Sequence, residues 1–129
     1  MENSLNTRND ELVLLYINHA LEKLNNALIC LQPNEKDVIG DIERARFCIN
    51  ESIVDNDLNY YLNNSTTLTA QDIFTVKNWF DQIRHVIEFV NRQSFNSQEL
   101  QERIPPILNN QALLTVKKQL ADAVNQKRS

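Results

Sequence analysis

The sequence predicts an all-α fold, an antiparallel up-and-down helical bundle of four main helices plus one short helix. Three observations predict it. Apolar residues recur at steps of three and four along most of the chain, the spacing that puts them on one face of a helix with 3.6 residues per turn. One Gly and three Pro in 129 residues leave few of the punctuators that turn-rich β folds need. Short polar links separate the periodic stretches, which favours neighbouring helices that reverse direction. With 42% hydrophobic and 23% charged residues, the composition is that of a single globular domain covering 1–129, its ends at 1–8 and 125–129 expected to be flexible.

The first helix is expected to start from a cap at Asn9 or Asp10, whose side chains accept hydrogen bonds from orphan backbone N–H groups. It runs to about Leu31 with Val13, Ile17, Ala20, Leu24, Ala27 and Leu31 on its inner stripe, widened by Leu14, Leu21 and Leu28. Pro33 ends it, and Asn34 with Glu35 and Asp37 supplies a new cap and an acidic first turn. Helix two carries Val38, Ile42, Ala45, Ile49 and Ile53, and its pattern extends toward Leu58, Tyr61 and Leu62 across a weak point at Asp55-Asn56-Asp57.

Residues 63–67 read as a loop. Thr69 and Asp72 then form a capping box in which Asp replaces the usual Glu. Helix three follows with Ile73, Val76, Phe80, Ile83, Ile87 and Val90, flanked by Phe74, Trp79, Val86 and Phe89, and so forms the aromatic centre of the core. Ser97 caps a short helix with Leu100 and Ile104 that Pro105-Pro106 should terminate, since each Pro removes a backbone donor and restricts the residue before it. Asn109 or Asn110 caps the last helix, which carries Leu113, Val116, Leu120 and Val124.

Charge excludes some functions. A net charge of −4 argues against a general nucleic-acid binder, which gains affinity by neutralising phosphates with clustered Lys and Arg. No apolar run approaches the roughly 20 residues that a membrane-spanning helix needs, and the start Met1-Glu2-Asn3-Ser4 lacks a secretory pattern. Cytoplasmic residence is the expectation, with delivery into a host by a specialised secretion system left open. A phosphate-binding Gly-rich loop is excluded because Gly40 is the only glycine.

No spacing supplies a reaction centre, a metal or a cofactor. His19 and His85, the only histidines, lie mid-helix where no local spacing supplies both an orienting carboxylate and a substrate group, and neither forms the Glu-x-x-His pair of metal-binding bundles. Cys30 and Cys48 show no CxxC pattern. A hairpin turning near residue 33 should set Cys30 opposite residues near 36 rather than Cys48, so buried free thiols are expected and not a disulfide.

Residues 35–57 hold seven acidic side chains (Glu35, Asp37, Asp41, Glu43, Glu51, Asp55, Asp57) against Lys36, Arg44 and Arg46. The bland reading is a solvated helix face; the sharper one is an acidic surface that steers a basic partner. Adjacent helix residues point about 100° apart, so Tyr60 and Tyr61 cannot both enter one core, and one of them is a candidate surface anchor. The residues put forward for partner binding are therefore Asp37, Asp41, Glu51, Asp55, Tyr60 and Tyr61.

By elimination, the expectation is a non-enzymatic protein-binding module, a small bacterial or phage regulator that inhibits or scaffolds a partner, with a homodimer possible. One alternative is an enzyme whose site assembles around His19 and His85 with a helix-two carboxylate. Another is a nucleic-acid-associated regulator using Lys117, Lys118, Lys127 and Arg128 near the C-terminus. The eighteen Asn residues fit a chain encoded by an AT-rich genome.

Overall fold

The computed structural model describes residues 2–31, 38–53, 57–92 and 97–128, with side chains over 8–31, 41–53, 57–92 and 97–126. Within these residues the chain is all-helical, with six helices and no strand: α1 (Glu2–Leu31), α2 (Val38–Asn50), α3 (Leu58–Asn63), α4 (Ala70–Val90), α5 (Ser97–Leu108) and α6 (Gln111–Arg128). Helix α1 packs against α2, α3, α5 and α6, while α4 covers the same assembly through α2, α3, α5 and α6. No helix among the described residues is long and apolar enough to cross a membrane.

The periodic stripes become the core. All six residues of the inner α1 stripe, Val13 through Leu31, are buried, and Leu14, Leu21 and Leu28 are half-buried beside them. Ala45 and Ile49 from α2, Val76, Phe80, Ile83 and Val90 from α4, Leu100 and Ile104 from α5, and Leu113, Val116, Leu120 and Val124 from α6 complete the interior. Each fully buried Leu, Ile or Phe contributes roughly 1.5–3 kcal/mol relative to exposure. Trp79 and Val86, expected as flanks, are core residues too, and Phe74 turns outward.

Two expected caps form. Thr69 Oγ1 accepts from the Asp72 backbone N–H at 3.1 Å and the Asp72 carboxylate accepts from the Thr69 N–H at 3.2 Å. Asn110 Oδ1 accepts from the Leu113 N–H at 3.0 Å and so starts α6. The expected cap of the second helix around Asn34, Glu35 and Asp37, with the turn at Pro33, lies outside the described residues.

The first cap is different from its expectation. Helix α1 begins at Glu2, so Asn9 and Asp10 are interior to it. Asp10 is completely buried, and its carboxylate accepts from Ser65 Oγ at 2.6 Å and Thr67 Oγ1 at 2.5 Å. Asn9 Nδ2 donates to the Asn64 carbonyl at 3.3 Å. These polar side chains find partners on a loop more than fifty residues away, which local capping logic has no means to see.

Two other boundaries move. Helix α2 stops at Asn50, before the weak point at 55–57; Ser52 Oγ donates to the Ile49 carbonyl at 2.6 Å and the Ser52 N–H to the same oxygen at 3.1 Å, closing the last turn. Helix α5 passes through Pro105 and Pro106 and ends at Leu108. Proline's fixed φ fits a helix, so the losses are two backbone donors and crowding with the preceding turn. Burial of Ile104 and Ile107 offsets them, and the buried Trp79 indole N–H donates to the Ile107 carbonyl at 2.8 Å, satisfying one of the orphan acceptors that a helix end leaves.

Candidate functional site

Helix α2 holds the surface to which the acidic sequence points. Its apolar positions Ile42, Ala45 and Ile49 face the core, which turns Glu43, Arg44, Phe47 and Asn50 toward solvent. The exposed acids do not act alone. Asp41 is half-buried and ion-paired with Arg44 one turn on, and Glu43 pairs with Arg46 at 3.0 Å. Arg46 also donates from Nε to the Val90 carbonyl at 3.0 Å, so it fastens α2 to the end of α4. Exposed pairs of this kind add about 0–1 kcal/mol to stability, and they reduce the bare negative field that a count of acids suggests.

Glu51 is exposed just beyond α2, and its backbone carbonyl lies 2.7 Å from His19 Nε2. Asp37 and Asp55, the other two acidic candidates, lie outside the described residues. The tyrosine pair divides as adjacent helix positions must. Tyr60 is 63% exposed, whereas Tyr61 is half-buried against the core and stacks on Tyr16 with ring centroids 6.0 Å apart. Tyr60 meets Tyr61 edge-on at 5.8 Å, which steadies an outward-facing ring.

Sequence reading missed Phe47. It lies between Ala45 and Ile49 in sequence but on the far side of the helix, and it is 62% exposed. Together with Cys30, Glu43, Arg44 and Cys48 it lines an open groove of about 550 Å³ whose accessible lining is almost wholly apolar. The signal was present: a large aromatic off the stripe of its own helix has no core to enter.

The two histidines are held on different elements. His19 spends its Nε2 on the Glu51 carbonyl. His85, on α4, is exposed and lines a second groove of about 340 Å³ with Gln82, Val86, Arg103, Pro106 and Ile107. In that groove Arg103 is committed to Glu99 at 2.9 Å and to the Phe89 ring at 4.6 Å. His19 and a helix-two carboxylate are not part of this groove. Among the described residues no group of three or more His, Cys, Asp or Glu is arranged to hold a metal ion. Near the C-terminus, Lys118 is exposed and Lys117 half-buried.

Cys30 and Cys48 are free, as expected, and half-buried, but they are not apart. Both line the Phe47 groove. Desolvation, and then Cys30 beside it, push the Cys48 thiol above its ordinary value, while Lys23 pulls it back. The expectation sets Cys30 opposite residues near 36, which lie outside the described residues; the structure shows it lining one groove with Cys48.

Comparison with protein-family models, curated proteins and solved structures finds no match.

Proposed function

We propose that the chain is a non-enzymatic protein-binding module, a small bacterial or phage regulator that acts in the cytoplasm and inhibits or scaffolds one partner protein. The observation that carries the reading is Phe47, an aromatic 62% exposed that lines an apolar groove on a helix flanked in sequence by acidic residues. Exposed aromatics set in desolvatable surroundings are the anchors of interfaces, and charge around them speeds and orients encounter more than it tightens the complex. The partner is therefore a protein that presents an apolar side chain ringed by Lys or Arg. Phe47 and the groove supply affinity, and Glu51, Asp41, Asp37 and Asp55 supply steering. Tyr60, exposed on α3, is a second, separate anchor.

We also infer that the main helices run antiparallel in up-and-down order. The supporting pair is His19 with Glu51, which joins a residue 12 positions before the end of α1 to one 13 positions after the start of α2. Inter-helix nuclear Overhauser contacts would test this directly.

The functional test is capture of the partner from source-cell lysate, followed by titration of the purified partner against three proteins: the wild type, Phe47→Ala, and a triple charge reversal at Asp37, Asp41 and Glu51. Weaker binding by both variants, each still folded, supports the reading. Full binding by folded variants removes it, and recovery of only the chain itself replaces it with a homodimer.

A further inference from the structure

The groove that the binding reading uses also carries two thiols, whose own chemistry that reading leaves unassigned. Cys30 stands in the last turn of α1 and Cys48 in the last turn of α2, both packed against the core and both on the wall of a groove open to solvent. A cysteine buried alone in apolar surroundings is inert. These two line the same open groove and bear on each other electrostatically, and a small oxidant can reach both through it.

We propose that Cys30 and Cys48 form a reversible dithiol and disulfide couple, a redox modification site that locks the end of α1 to the end of α2. With hydrogen peroxide as oxidant, one sulfur attacks a peroxide oxygen as its thiolate. The O–O bond breaks, the released hydroxide takes a proton to become water, and the attacking sulfur carries a sulfenic acid. The second sulfur displaces that hydroxyl, which leaves as a second water, and the S–S bond forms. In sum the two thiols give up two electrons and two protons, and the peroxide is reduced to two waters. A dithiol such as dithiothreitol reverses the bond by exchange.

The surroundings set the rate. Among the described residues, Lys23, Glu43 and Arg44 are charged groups near the pair. Burial and the neighbouring thiol hold Cys48 protonated at neutral pH, so closure is slow there and speeds up as pH rises and thiolate accumulates. The closed bond removes freedom from the unfolded chain by tying off the segment between residues 30 and 48, which raises the unfolding midpoint by about 10 °C.

The test uses the purified full-length chain in hydrogen peroxide, and separately in a glutathione disulfide buffer, with no partner present. Peptide mapping should recover an intramolecular Cys30–Cys48 crosslink, both thiols should disappear from titration, the midpoint should rise, and dithiothreitol should reverse all three. Cys48→Ser and, separately, Cys30→Ser should give only a glutathione adduct or an intermolecular dimer, without the rise; either variant suffices if the other fails to fold. Persistence of both thiols, crosslinking only between molecules, or faster closure in urea than in native buffer would overturn the proposal. Because no partner takes part, this result is independent of the binding reading.

Discussion

In its first third, helix α1 meets the 65–68 loop through Asp10, a carboxylate without exposed surface that accepts from Ser65 and Thr67. At its C-terminal end the same helix meets α2 beside Cys30, Cys48 and Phe47, where the groove stays open and a phenyl ring faces solvent. The first junction is closed: Ser65 Oγ also accepts from the Thr67 and Leu68 N–H groups at 3.2 Å, and among the described residues no buried side-chain polar atom lacks a partner. The second is left unfinished by the fold itself. Residues at the closed end should govern stability, and residues at the open end should govern binding.

The largest effect should come from Asp10→Ala, which strands the Ser65 and Thr67 hydroxyls and opens a void. Chemical denaturation should show a loss of about 3 kcal/mol, with partner affinity unchanged in the molecules that remain folded. Next is Trp79→Phe, which deprives the Ile107 carbonyl of its donor and leaves a small cavity. A loss of about 2 kcal/mol is expected, and amide exchange should quicken in the last turn of α5, beyond the prolines. Thr69→Ala removes one half of the capping box and should cost about 1 kcal/mol, read as faster exchange in the first turn of α4. The smallest stability effect belongs to Phe47→Ala, within about 0.5 kcal/mol because the ring is exposed. An unfolding loss as large as that of Asp10→Ala would make Phe47 a core residue and erase the contrast between the two junctions.

What the sequence disclosed depends on the range of the interaction concerned. Stripes such as Val13, Ile17, Ala20 and Leu24 are set by helical period alone, and all of them are core. The Thr69 and Asp72 box and the Asn110 cap are likewise short-range, and both form where expected. Asp10 was misread because its partners lie 55 and 57 residues away. The prolines of α5 were misread because the donor that secures its last turn comes from Trp79 on α4. Among site residues, the division between Tyr60 and Tyr61 was legible from the 100° step, although which ring turns outward required the packing on Tyr16. The shared groove of Cys30 and Cys48 depends on the meeting of two helices, and no spacing within the chain encodes it.

The most direct measurement is an isothermal titration of the captured partner into wild type and Phe47→Ala at low and moderate salt, with thermal unfolding of both proteins recorded alongside. The account predicts equal unfolding curves, an affinity about tenfold or more weaker for Phe47→Ala, and a wild-type affinity that weakens modestly with added salt. Equal affinities in two equally stable proteins would contradict it, and would leave the open end of α1 without a role in binding.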